Sequence, residues 1–96
     1  MGVVTREAVM DELAKVVDPE LGRSILELDL VEKLDIQDDK VEVAFHLTSP
    51  YCPPMFAMKI AQDVKDYASN AKGVKEVKVE VLGHYMAGYV NDTVNR

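Results

Sequence analysis

The chain of 96 residues is 48% hydrophobic and carries 17 acidic against 11 basic side chains, a formal net charge of -6, with one cysteine. That length implies one domain over residues 1–96 with a small core, and a lone cysteine excludes an internal disulfide or a self-contained four-cysteine metal site. The acidic balance argues against a nucleic-acid partner, because such affinity comes from Lys and Arg neutralising phosphates. The start, Met1 to Arg6, lacks the pattern of a signal peptide, and Arg6 stands where a myristoylation signal wants Ser or Thr. No apolar run approaches the roughly 18 residues of a membrane span, so a cytoplasmic protein with no membrane partner is expected.

Thr5 is suited to cap a helix, with Glu7 in its first turn, and Val9, Leu13, Val16 and Val17 recur at helical spacing, predicting a first helix from about Arg6 to Val17. It ends at Asp18-Pro19, since the residue before a proline is pushed out of the helical region. Asp18-Pro19-Glu20-Leu21-Gly22 is expected to be a tight, mostly exposed loop. Its carboxylates either serve the turn, with Asp18 bonding its own backbone, or point together into a site. In the segment Ser24 to Val31 the residues alternate apolar with acidic from Leu26 onward but also offer a short helical stripe at Leu26 and Leu30, so the segment stays open between the two.

Leu34 and Ile36, a turn at Asp38-Asp39-Lys40, and then Val41, Val43, Phe45 and Leu47 alternating with Glu42, Ala44 and His46 predict an antiparallel hairpin with one buried face. From Met55 onward, Ala57, Ile60, Ala61, Val64, Ala68 and Ala71 form a helical stripe whose small side chains imply close packing on a sheet. Lys72 suits the C-terminal end of that helix and Gly73 its C′ position. Val77, Val79 and Val81 alternate with Lys78 and Glu80 as a third strand. Residues 84–96 have no clean period and are expected as a tail with a frayed end. The order helix, strand, strand, helix, strand predicts an α+β two-layer sandwich with two helices packed on one face of a small mixed sheet.

Thr48-Ser49-Pro50-Tyr51-Cys52-Pro53-Pro54 joins the clearest strand to the clearest helix and holds the only cysteine. A free cysteine is most often a small buried hydrophobe. Here, however, it falls beside a helix N-terminus, where unpaired N–H groups and the helix dipole favour a thiolate. The prolines remove donors, so the nearest N–H groups for a Cys52 thiolate would be those of Met55 and Phe56. A thiol hydrolase would also need a base. His46 has the parity of the solvated sheet face and His84 follows the third strand, so neither forms a dyad by pattern. Met55 and Met58 read as packing rather than soft-metal ligands.

Val17-Asp18-Pro19-Glu20, Ile25 to Val31, Val41-Glu42-Val43 leading into Leu47-Thr48-Ser49-Pro50-Tyr51-Cys52-Pro53, and Gly73 to Val79 resemble the small iron-sulfur assembly domain family. Its members include PaaD-like and SufT-like proteins and the eukaryotic cytosolic cluster-targeting factors. The resemblance runs in order from about Glu7 to Leu82. It implies an α+β domain that helps mature iron-sulfur proteins, with Asp18, Pro19, Glu20, Thr48, Cys52 and Pro53 near one another and Cys52 as the functional thiol and metal ligand. Asp29 departs from the glycine common before the Leu-Val pair, and the family's C-terminal tryptophan is missing, so nothing is carried over past Leu82.

The implied role is a non-enzymatic cluster assembly or transfer factor, with Cys52 as cluster ligand or transfer thiol. The implied cofactor is an iron-sulfur cluster held transiently, and the implied partners are the assembly machinery and client apoproteins. A cluster normally takes roughly four thiolates, so one thiol per chain would need a homodimer plus outside thiols, or a partner supplying the rest. The alternative is an adaptor that docks clients onto the machinery, with Cys52 structural or redox-sensitive.

Overall fold

In the computed structural model, which describes residues 3–19, 21–47 and 53–95, the elements in chain order are α1 (Arg6–Leu13), β1 (Val17–Asp18), β2 (Arg23–Ser24), β3 (Val31–Gln37), β4 (Lys40–His46), α2 (Pro54–Ser69), β5 (Glu76–Leu82) and α3 (Ala87–Val94). The period-two pattern builds the main sheet, ordered β3-β4-β5. β3 and β4 are antiparallel across a two-residue loop in which Asp38 takes φ 58°, a conformation that Asp tolerates better than most residues. β4 and β5 run parallel, aligning Val41, Val43 and Phe45 with Val77, Val79 and Val81. The sheet is therefore mixed, as expected for an α+β fold.

Those six side chains share one face and are buried. Over them lies α2, the crossover that a parallel pair requires, and its Ala57, Ala61, Val64 and Ala68 are fully buried. Small residues on that stripe let helix and sheet approach closely. α1 packs against α2 through the buried Val9 and Leu13, and its N-cap Thr5 accepts the Ala8 N–H at 3.1 Å. The opposite sheet face is polar. There Lys33 pairs with Glu42 at 3.1 Å, and the hydrogen bond and charge of that carboxylate hold the lysine pKa above its ordinary value.

Four expectations are corrected. The first helix stops at Leu13, not Val17, because Val17 and Asp18 pair with Ser24 and Arg23 in a small hairpin that draws the chain out of the helix. α2 stops at Ser69 with Asn70 as C-cap, and Gly73, at φ 87°, serves the turn beyond it. The open segment after Ser24 is neither strand nor helix until Val31. It is a run of turns in which Leu28 N–H bonds Ser24 O and Leu30 N–H bonds Ile25 O. Finally, the expected tail carries α3, whose Val90 and Val94 are buried against α2 and β5, leaving three helices rather than two among the described residues.

Candidate functional site

Parallel pairing puts the C-terminal ends of β4 and β5 at one edge of the sheet, with His46 aligned to Leu82. In sheets with parallel crossovers, loops leaving that edge are where ligands are bound. From β4 the chain passes through the buried Leu47 into residues 48–52 and returns at Pro53. The start of β3 reaches the same edge, since Leu30 O accepts the His46 N–H at 3.0 Å.

Of the six expected site residues, Glu20, Thr48 and Cys52 lie outside the described residues. Pro53 is the N-cap of α2 and Pro54 its first residue, so chain connectivity puts Cys52 directly before the cap. Prolines fit here because a first-turn N–H would have no helical partner. The Pro53 carbonyl accepts from the N–H groups of Phe56 at 2.9 Å and Ala57 at 3.1 Å. Of the two donors expected for a thiolate, that of Phe56 is therefore committed to the helix itself, which corrects the expectation.

Asp18 was expected in a mostly exposed loop. Pro19, Leu21 and Gly22 are exposed, but Asp18 is only 3% exposed. Two of its hydrogen bonds stay within its own hairpin: Oδ1 accepts from Leu21 N–H at 3.3 Å and its carbonyl from Gly22 N–H at 2.8 Å. This is the turn chemistry that Asp offers, made possible by φ 66° at Gly22. Asp18 and Pro19 thus share one hairpin, and Pro53 opens α2.

Both histidines sit at the strand-end edge. His46 lies on the polar face, as its parity predicts, but is half-buried, with Nδ1 2.7 Å from Glu32 Oε1. At that distance the two groups touch without the alignment of a hydrogen bond. His84 is buried, accepts the Met86 N–H on Nδ1 at 3.0 Å, and packs on the Tyr85 ring with centroids 4.8 Å apart. An accepting Nδ1 places the proton of the neutral ring on Nε2. The Glu32 partner was missed because a bulge between Val31 and Lys33 breaks the simple alternation. His84 had no periodic signal at all.

Beside the start of α2 the surface is apolar. Met55 is 78% and Tyr89 58% exposed, and with Met58 and Thr93 they line an open groove of about 500 Å³ between α2 and α3. Among the described residues no group of three His, Cys, Asp or Glu side chains is arranged to hold a metal ion.

The fold defines a small α+β protein organised around a β4-α2-β5 crossover, with its only thiol just ahead of the crossover helix. The chain belongs to the iron-sulfur cluster assembly protein family, whose model matches residues 6–81. An uncharacterized protein of Methanocaldococcus jannaschii is 38% identical over 92 residues, 94% of either chain. A Fe-S protein maturation auxiliary factor of Bacillus subtilis is 36% identical over 80% of this chain and 74% of its own. An iron-sulfur cluster carrier protein of Deinococcus radiodurans is 32% identical over 77% of this chain, which spans only 21% of the carrier. A solved domain of unknown function from Bacillus anthracis superposes with TM-score 0.71 at 33% identity, covering 79% of this chain and 72% of that one. α3 lies beyond the residues that the family model matches.

Proposed function

We propose that the protein is a non-enzymatic factor in the assembly or transfer of iron-sulfur clusters, with the cluster as cargo and Cys52 as its ligand or transfer thiol. The observation that carries this reading is the family match over residues 6–81, which spans both the Asp18 hairpin and the connection from Leu47 to Pro53. Relatives named as a cluster carrier and a maturation auxiliary factor support it. The working surface on this reading is Asp18, Pro19, Glu20, Thr48, Cys52 and Pro53. One thiolate holds at most a share of a cluster, so the assembly machinery or a client apoprotein supplies the remaining ligands, in the cytoplasm. No helix among the described residues is long and apolar enough to cross a membrane.

Anaerobic reconstitution with iron and sulfide tests the thiol. The wild type should develop a cluster absorption band that Cys52→Ser loses, and a Cys52→Ser protein with the same band and stoichiometry would sink the assignment.

The exposed Met55 and Tyr89 favour a second reading, an adaptor that docks client apoproteins, because methionine and aromatic side chains make adaptable apolar contacts. On that reading Cys52→Ser leaves client retention intact while Met55→Lys combined with Tyr89→Ser abolishes it. Loss of retention in a folded Cys52→Ser protein counts against the adaptor. Leu21, 53% exposed, is the informative position to change in the Asp-Pro-Glu loop, since a lysine at the buried Asp18 would test folding instead.

A further inference from the structure

The outer edge of β5 is covered by side chains rather than by a strand. The Asn91 amide accepts the Val81 N–H at 2.6 Å and donates to the Val81 carbonyl at 3.2 Å. Asn95 repeats this at Val79, with 2.8 and 2.7 Å. Each amide gives one backbone residue the pair of bonds that an opposing residue gives in an antiparallel ladder. Two such amides fit because four residues of helix rise about 6 Å and two residues of strand about 6.6 Å. Lys65 Nζ, bonded to the Val94 carbonyl at 2.7 Å, ties down the end of the same helix.

An edge strand with open N–H and C=O groups is a template for another strand, and the sequence under this cover favours its own copy. Outward-facing backbone groups alternate along a strand, so those at Val79 and Val81 imply a third set at Val77. An antiparallel pairing about a two-fold axis at Val79 opposes Val77 to Val81 and Val79 to itself, all as hydrogen-bonded pairs. Lys78 then faces Glu80 of the partner subunit in the closer, non-hydrogen-bonded positions, where opposite charges attract. The neighbouring registers are penalised. Centring on Lys78 opposes Lys78 to itself and Glu76 to Glu80, and centring on Glu80 opposes that glutamate to itself. In-register parallel pairing lines up like charges throughout.

We propose that the outer edge of β5 is a self-pairing surface for a second copy of this chain, held closed by Asn91 of α3 and by Asn95 at its C-cap. Release of α3 opens it, and pairing extends the sheet across the two-fold axis. Because the two β5 strands run in opposite directions, the Leu47 ends of the two sheets point apart. This pairing is therefore distinct from any association that would bring two thiols to one cluster.

The test is sedimentation velocity over a concentration series under reducing conditions, which keeps Cys52 from linking chains. Asn91→Ala combined with Asn95→Ala should raise the self-association constant about tenfold or more over wild type, in keeping with the loss of four hydrogen bonds. Adding Lys78→Glu should abolish that gain, and adding both Lys78→Glu and Glu80→Lys should restore it. If the double variant does not fold, Asn95→Ala alone opens the two-fold centre; with Asn91 still closing Val81 its gain should be smaller than that of the double variant but show the same dependence on Lys78 and Glu80. A folded variant with no gain in association overturns the proposal, as does a gain that Lys78→Glu leaves untouched.

Discussion

Val90→Ala separates a docked α3 from a frayed tail. Val90 is fully buried, so its truncation removes two methyl groups from the core at about 0.8 kcal/mol each. The space left between α2 and β5 adds up to about 1 kcal/mol if the neighbours do not close it. Alanine's better helix propensity offsets about 0.5 kcal/mol, for a net cost near 2 kcal/mol. With a urea slope of about 1 to 1.5 kcal/mol per molar for a chain this size, the unfolding midpoint should fall by about 1.5 M. Followed by circular dichroism at equilibrium, a change within about 0.5 kcal/mol, the usual size for a surface position, would refute the docked helix.

The remaining predictions concern backbone, loop and core. Gly88 in α3 has no positive φ and nothing within 4 Å of an added Cβ, so Gly88→Ala should raise stability by about 0.5 kcal/mol in the same assay. Asp29 stands at φ 56°; Asp29→Gly should change stability by less than about 0.5 kcal/mol, relief of strain being offset by glycine's greater unfolded freedom. Asp29→Val should cost about 1 to 2 kcal/mol, and equal stability for the two would contradict the left-handed turn. Phe45→Ala, at a fully buried position in the central strand, should cost about 3 to 5 kcal/mol, measured by thermal unfolding against wild type.

The resemblance drawn from sequence and the observed backbone meet at Asp29. The resemblance implies a glycine there, and φ 56° is a conformation that suits one. Aspartate is among the few substitutes whose short polar side chain tolerates it. The β3–β4 hairpin and the alanine stripe of α2 were legible for a related reason. Their signals are alternation and helical spacing between near neighbours, which a linear reading detects directly.

The candidate site was legible only in part. The sequence places Cys52 one residue before Pro53, and that neighbour relation needs no tertiary information. The commitment of the Phe56 N–H to the Pro53 carbonyl depends on how the first turn closes. Burial of Asp18 is set by how the hairpin sits in the tertiary structure, which the spacing of residues in the loop does not reveal.

What the sequence determined by itself is the α+β class, the buried faces of β4, β5 and α2, and the position of the thiol between strand and helix, because each is written in residues at most a few places apart. Tertiary structure alone decided that residues 87–94 form a helix. Eight residues containing Gly88 and Asn91 are too short and too weak in propensity to be helical unaided. Burial of Val90 and Val94, and the bonds from Asn91 and Asn95 to a strand 10 and 16 residues earlier, supply the stability that local sequence lacks.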